Sequence, residues 1–241
     1  MKLIIYQNDS RKAIDDLYND GVHITSQNIG SISIEPADQL YFISDDLYRS
    51  HKALFTEAKL KAISVQNYLV QSLPYQENLS VFYELGVIRE SSQFFTLLTR
   101  EKLQSKGVFR MKRRVKRLNK EKIVEDVSFL CRSFGAVEYA AEKSVEHPGS
   151  GKKYGIATVR FSEGVLAQIE YEKTFSDDES LELEWSGQQK IISYSTESQT
   201  NHEDNNDGRL SFSLTALGSA GYPLTAGLHE EIKKIKELLY D

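Results

Sequence analysis

The sequence is poor in cysteine and in long apolar runs, and each shortage excludes a class of protein. Cys131 is the single cysteine among 241 residues, so no internal disulfide can form and a reducing compartment is expected. No apolar run approaches the roughly 20 residues that cross a bilayer. The start of the chain reaches the polar Gln7, Asn8 and Asp9 too soon for a signal-peptide core. We therefore expect a soluble, cytoplasmic protein without a membrane partner.

The overall balance of residues indicates a folded protein that does not bind nucleic acid. Apolar residues make up 40% and charged residues 27% of the chain, near the averages of globular proteins. The net charge of −5 argues against nucleic acid or an anionic membrane as a general partner. A chain of this length can bury a substantial core in one large or two modest domains.

The first part of the chain alternates strand and helix patterns, which indicates a parallel α/β sheet. A predicted helix begins at Ser10 and carries Ala13, Ile14 and Leu17 at helical spacing. A second predicted helix carries His51 and follows the polar turn at Ser44 and Asp45. The predicted strands are residues 3–6, 22–29, 40–43 and 62–65.

The second part of the chain is typical of an α+β domain with a large, mostly antiparallel sheet. The turn Ser162-Glu163-Gly164 predicts a hairpin, and Gly135 is placed to end the helix before it. The predicted helices are residues 78–85, 91–104, 120–134 and 229–240. The predicted strands are residues 108–115, 154–161, 165–171, 181–185, 190–195 and 210–214. We place the division between a compact parallel-sheet domain, 1–73, and the α+β domain, 74–241, at the turn Pro74-Tyr75.

These elements together resemble the glucose-fructose oxidoreductase / inositol dehydrogenase / MocA (Gfo/Idh/MocA) family. The likeness rests on the strand, polar turn, helix with His51 and strand ending at Gln66-Asn67-Tyr68. The hairpin at residues 155–167 and the segment at 221–225 are similar to later parts of the family pattern. The resemblance implies a truncated Rossmann-like domain, 1–73, followed by a large sheet whose open face pairs two subunits into a homodimer.

The departures from the family pattern argue against its chemistry. In the family the lysine of a Glu-Lys-Pro motif works at the nicotinamide, and Asn67 stands at the matching place here. A dinucleotide site also needs glycines after its first strand. Residues 7–12 contain none, and Asp9 would put negative charge where the phosphates sit. We therefore predict degenerate nucleotide-binding and catalytic motifs and no NAD(P) cofactor.

A small set of residues remains as candidates for a site. His51 corresponds to a family residue near the nicotinamide pocket, which makes it a weak candidate for catalysis; the favoured alternative is a histidine on a helix face, packed beside Tyr48 and Phe55. Gln66 and Asn67 either bind a ligand through amide hydrogen bonds or simply end a strand. The predicted ligand-binding residues are Ser44, Asp45, His51, Gln66 and Asn67.

Three other patterns are better explained without a ligand. Residues 148–153 lack the first glycine and the final Ser or Thr of a phosphate loop, and residues 203–208 lack the closing carboxylate of a calcium loop. In the basic run at 110–117, strand alternation puts Arg110, Lys112, Arg114 and Lys116 on one face, opposite Phe109, Met111 and Val115, as expected for a solvated or salt-bridged sheet face. The five histidines show no paired spacing for a metal.

Three functional hypotheses follow, and they differ on whether the chain catalyses a reaction. The first is a non-catalytic binding or regulatory homodimer that holds a small molecule or a protein partner. The second is an NAD(P)-dependent oxidoreductase that acts on a sugar-like or other small hydroxylated substrate through an unconventional site. The third is a subunit whose missing nucleotide-binding part comes from a partner protein.

Overall fold

The structure is a computed structural model, and it describes most of the chain after residue 60 and four short strands before it. The described residues are 3–7, 13–15, 21–25, 39–42, 60–70, 72, 75, 79–100, 106–116, 118–146, 149, 151, 153–175, 179–188, 190–196, 211–213 and 221–240.

The elements alternate early in the chain and become mostly strands later. The helices are α1 (Val65–Val70), α2 (Glu84–Val87), α3 (Arg89–Arg100), α4 (Lys120–Phe134) and α5 (Ala226–Tyr240). The strands are β1 (Leu3–Gln7), β2 (Ala13–Asp15), β3 (Gly21–Thr25), β4 (Gln39–Phe42), β5 (Leu60–Ser64), β6 (Leu79–Phe82), β7 (Gly107–Val115), β8 (Val137–Glu146), β9 (Lys153–Phe161), β10 (Leu166–Lys173), β11 (Ser180–Gly187), β12 (Ile191–Ser195), β13 (Ser211–Ser213) and β14 (Tyr222–Pro223).

The first sheet has the order β14-β6-β5-β4-β1-β3. Its strands run parallel from β3 to β6, and β14 adds an antiparallel edge in which Tyr222 pairs with Val81. β1 pairs with β3 on one side and with β4 on the other, so later strands of the chain are added to opposite sides of β1. The order of the strands in the sheet therefore reverses at β1. That reversal marks the place where open parallel sheets bind ligands.

The second sheet has the order β12-β11-β7-β10-β9-β8 and is antiparallel except for the pair β7–β10. Alternate residues of each strand point to the same side, and on the inner face of this sheet they are mostly apolar. Phe109, Ile169 and Trp185 are among the buried residues on that face. The face packs on α4, a helix buried on nearly all sides, from Lys122 to Leu130.

Capping residues fix the two ends of helix α4. The Asn119 side chain accepts a hydrogen bond from the Lys122 backbone N–H at 2.9 Å, which satisfies one of the unpaired donors of the first turn. Gly135 follows with a φ of 83° and donates its N–H to the Cys131 carbonyl. A residue with a side chain would be strained in that conformation, so this glycine fixes the exit of the helix.

Two predicted helices are wrong, and in both places a distant strand decides the outcome. Ala13–Asp15 forms β2, which pairs in parallel with β13 nearly two hundred residues later. The predicted helix at 78–85 is instead β6, paired with β5, followed by the four-residue α2. Helical spacing over so few residues does not exclude a strand when a pairing edge is available.

The other long elements agree with the sequence within a few residues, and the predicted fold class is confirmed: a small parallel-sheet domain with a larger, mostly antiparallel sheet. The domain division after residue 73 stays a prediction. The first sheet also takes β6 and β14 from beyond that point. Among the helices that the structure describes, none is long and apolar enough to cross a membrane.

Candidate functional site

The carboxyl ends of the parallel strands define where a ligand site is expected. β1 ends at Gln7, β5 at Ser64 and β6 at Phe82, and parallel pairing brings these ends to one edge of the first sheet. We call this edge the carboxyl edge. Ser44 and Asp45 follow β4 in sequence, but they and His51 lie outside the described residues.

Gln66 and Asn67 do not end a strand, because β5 stops at Ser64 and both residues lie in α1. The Gln66 side-chain N–H donates to Asn119 Oδ1 at 3.2 Å. Since Asn119 also caps α4, this hydrogen bond connects the helix after β5 to the start of α4. The predicted ligand role of Gln66 and Asn67 stays a prediction.

Beside the carboxyl edge lies a buried group of charges that the sequence analysis missed. It joins the end of β6 to the inner face of β7 and to the first turns of α4. We call it the ionic cluster, and its members are Glu84, Arg113, Lys122, Glu125 and Asp126.

Arg113 is the centre of the ionic cluster, and its side chain is only 1% exposed. Its NH1 lies 2.7 Å from Asp126 Oδ1 and 2.9 Å from Oδ2, while its NH2 lies 2.9 Å from Glu84 Oε2. The Tyr171 hydroxyl donates to Asp126 Oδ2 at 3.1 Å. Burial lowers the pKa of Arg113, but the attraction of these carboxylates outweighs it and leaves the pKa raised.

Lys122 holds the other side of the cluster. Its Nζ donates to Glu125 Oε2 at 2.8 Å and also to Glu84 Oε2, the oxygen that Arg113 contacts. Burial lowers the pKa of Lys122, and the neighbouring carboxylates outweigh it and leave the pKa raised. Glu125 also accepts a hydrogen bond from the Glu84 backbone N–H at 3.1 Å.

The cluster contains three carboxylates and two cations, and that imbalance has electrostatic consequences. Burial raises the pKa of Glu125; Lys122 opposes the rise, and the carboxylates of Glu84 and Asp126 add to it. Removing one member of such a group leaves another charge buried and unpaired.

Two signals in the sequence could have found this cluster. Arg113 occupies the same strand face as Met111 and Val115, so its side chain had to enter the core. Asp126 lies three residues after Ile123 and four before Leu130, which puts a carboxylate on the core side of α4. A charge at a core position on each of two adjacent elements indicates a buried ion pair.

The outer face of the second sheet carries rows of ion pairs, as the sequence predicted for Arg110, Lys112 and Arg114. Strand β7 supplies the cations, and its neighbours β10 and β11 supply carboxylates. The pairs include Arg110–Glu184, Lys112–Glu182 at 3.5 Å and Arg114–Glu172 at 3.2 Å. This face forms a shallow open depression of about 630 Å³, lined in part by Gln168, Glu170 and Ser193.

No metal site is found in the part of the chain that the structure describes: its His, Cys, Asp and Glu side chains form no group of three or more that could hold an ion. Cys131 is mostly buried, and burial raises the pKa of its thiol to about 12. A thiol in that environment stays protonated near neutral pH and is a poor nucleophile.

Comparison with known proteins supports the fold and leaves the chemistry open. No family model matches the sequence, and no curated protein matches it. Solved structures do match. An oxidoreductase-like protein from Magnetospirillum magnetotacticum MS-1 aligns over 99% of both chains with a TM-score of 0.58 and 11% identity. The chain shares the fold of that protein.

Two further structures show the same likeness. The myo-inositol dehydrogenase from Corynebacterium glutamicum ATCC 13032 aligns with 99% of this chain and 85% of its own, with a TM-score of 0.54 and 9% identity. GenD2 from gentamicin A biosynthesis, in complex with NAD, aligns over 98% and 84% with a TM-score of 0.52 and 7% identity. The predicted resemblance to the inositol dehydrogenase family is therefore confirmed at the level of the fold.

Proposed function

We propose that this protein is a non-catalytic binding or regulatory protein built on the dehydrogenase fold, and that it acts as a homodimer. The observation that carries the proposal is the position of β1. This strand lies at the reversal of strand succession in the first sheet, so its carboxyl end at Gln7 lies where a dinucleotide would place its pyrophosphate.

The residue types after β1 do not suit that ligand. Backbone N–H groups reach a pyrophosphate closely only where glycines leave room, and residues 7–12 contain no glycine. Asp9 adds a negative charge that repels phosphate. Asn67 follows β5 in place of a lysine, and an amide neither carries a positive charge nor transfers a proton as an ammonium group can.

The outer face of the second sheet supports the homodimer. The cation row of β7 lies between the carboxylates of β10 and β11. A two-fold axis parallel to the strands, over the boundary between β7 and β10, would place the cations of each subunit opposite the carboxylates of the other. Such complementarity fixes register and favours pairing of two copies.

An NAD(P)-dependent oxidoreductase with an unconventional site is the second candidate. GenD2 holds NAD on a fold that this chain shares over 98% of its length, which favours the possibility that a dinucleotide also binds here. A sugar-like or other small hydroxylated molecule would then be the substrate.

A fluorescence titration with NADH and NADPH separates the two candidates. Purified protein is added to each reduced dinucleotide, and nicotinamide fluorescence and anisotropy are followed up to millimolar protein. The proposal expects no saturable change with either cofactor. Saturable binding with a micromolar dissociation constant would overturn it in favour of the oxidoreductase. Light scattering during size-exclusion chromatography should show twice the chain mass of 27.5 kDa.

A further inference from the structure

Two buried cations of the ionic cluster converge on a single carboxylate oxygen. Arg113 NH2 and Lys122 Nζ both donate to Glu84 Oε2. We propose that Arg113 and Lys122 form a binding site for a small oxyanion, and that the Glu84 carboxylate occupies this site in the present structure. A carboxylate or phosphate group of a ligand at the carboxyl edge would take the place of Glu84, which extends the proposed binding function.

Glu84 is the member of the cluster that can leave. Its side chain is 13% exposed, whereas those of Glu125 and Asp126 are at most 1% exposed. It is also the first residue of α2, a helix of only four residues that is separated from β6 by Tyr83 alone. Glu125 and Asp126 lie within the long, buried α4, so their displacement would disrupt the core.

The site left by Glu84 has the chemistry of an oxyanion receptor. A guanidinium and an ammonium group would point at the same position, and guanidinium groups bind planar or tetrahedral oxyanions through paired N–H donors. Arg113 also has an unused donor, because its buried Nε has no hydrogen-bond partner among the described residues. An arriving oxyanion can therefore gain hydrogen bonds with Arg113 that Glu84 does not make.

The charges and the location agree with this assignment. Without Glu84, Arg113 and Lys122 balance Glu125 and Asp126, and one bound anion restores the net charge that the cluster has now. The vacated position lies where β6 ends, at the edge where open α/β sheets receive their ligands. A ligand bound there would have its anionic group within reach of both cations.

Chemical rescue of a Glu84→Ala variant tests the site. Removing the carboxylate side chain takes one partner from each of the two cations, which keep Asp126 and Glu125, and leaves a space of the size of a small anion. We expect the variant to unfold at a lower temperature than the original protein, and its Tm to rise saturably by several degrees with sodium acetate, propionate or phosphate. Sodium chloride at equal ionic strength should not reproduce the rise, and the original protein should respond little.

Two matched variants make the result specific. Glu182→Ala removes a glutamate that pairs with a lysine on the outer sheet face, and its Tm should respond equally to acetate and chloride. Adding Lys122→Met to Glu84→Ala should abolish the rescue, because one of the two cations is then missing. If Glu84→Ala folds only when acetate or phosphate is present, recovery of folded protein as a function of anion concentration gives the same information.

The anion series also identifies the ligand class. Rescue by acetate and propionate alone assigns the site to carboxylates, and rescue by phosphate alone assigns it to phosphate groups. Equal behaviour of Glu84→Ala in acetate, phosphate and chloride would overturn the proposal, as would anion rescue that persists in the double variant. These outcomes are independent of dimerisation and of NADH binding, so failure of this site and failure of the proposed function are distinguishable.

Discussion

Arg113 and Asp126 form a buried ion pair, in which Arg113 NH1 lies 2.7 Å and 2.9 Å from the two Asp126 carboxylate oxygens. Both side chains are at most 1% exposed. The pair joins the inner face of β7 to the middle of α4, so it positions the helix on the second sheet. Glu84 connects the same arginine to the end of β6 in the first sheet. One arginine therefore links both sheets.

Asp126→Asn should be strongly destabilising. The change leaves Arg113 charged and buried with a weaker partner, and breaking a buried pair in this way costs about 3–5 kcal/mol. Urea unfolding followed by circular dichroism measures the loss. Arg110→Ala removes a cation from an exposed pair of the same strand and should cost about 1 kcal/mol or less. Equal losses for the two variants would contradict the prediction.

Glu125→Gln should change how stability depends on pH. Because burial raises the pKa of Glu125 above its ordinary 4.5, the folded state binds this proton more readily than the unfolded state. The stabilisation from that proton is complete below the unfolded pKa and is lost as pH rises through the folded pKa. The advantage of the original protein over Glu125→Gln should therefore shrink as pH rises above 4.5.

Denaturant unfolding of both proteins at several pH values gives this difference directly. Glu237→Gln, on the exposed side of α5, controls for the loss of one negative charge. A constant difference would show that folding leaves the pKa of Glu125 unchanged, and a difference that grows with rising pH would show that folding favours its carboxylate form; either result contradicts the prediction.

Tyr68→Phe should weaken the contact between α1 and α5. The Tyr68 hydroxyl and His229 Nδ1 are 2.7 Å apart, and the two rings meet edge to face. Losing one such hydrogen bond costs about 0.5–1.5 kcal/mol, which thermal unfolding can resolve. Tyr75→Phe alters a more exposed ring beside the same histidine and should have a smaller effect. No change in Tyr68→Phe would mean that the hydrogen bond contributes nothing to stability.

Gly107→Ala should disturb the packing of Trp185. An added Cβ would lie 2.6 Å from the indole ring and 2.9 Å from the Ser186 carbonyl oxygen, so ring or backbone must move. Overpacking of this kind costs about 1–3 kcal/mol. Trp185 is the only tryptophan and stacks on Phe134, so its fluorescence reports the change. Gly221→Ala, whose nearest neighbour would be 4.0 Å away, should leave the spectrum unaltered.

Lys112→Glu should weaken the proposed homodimer. It places a negative charge in the cation row of the outer face, where the partner's carboxylates would lie, and a cost of about 1.4 kcal/mol shifts the dissociation constant tenfold. Analytical ultracentrifugation at low salt measures this constant. Lys234→Glu makes the same charge change on the exposed side of α5 and should leave it unchanged. Equal constants for both variants would exclude this face as the dimer contact.

Local sequence signals correctly predict helix ends and turns that depend on a single residue. Helix α4 ends at Gly135 as predicted, and the hairpin between β9 and β10 turns at Gly164, whose φ is +80°. Both depend on a residue that accepts a conformation other residues avoid. By contrast, β2 forms because it pairs with β13, and no local sequence pattern near Ala13 indicates a partner nearly two hundred residues later in the chain.

The site was harder to predict than the fold. The sequence predicts a solvated or salt-bridged sheet face for the basic run around Arg113, and this is confirmed for Arg110, Lys112 and Arg114. Arg113 lies on the opposite, inner face of the same strand, and a cation is stable on that face only when another element supplies a carboxylate. Asp126 supplies it from α4, and neither residue alone reveals the pair.

The late strand β14 has a consequence for any shortened form of the chain. Tyr222 and Pro223 cover β6, and Arg132 packs over the Tyr222 ring, 3.8 Å from its centre, which holds the strand in place. A chain that stopped before Tyr222 would leave the backbone donors and acceptors of β6 open, a template on which other chains can assemble. The last twenty residues therefore protect the protein from aggregation through the edge of β6.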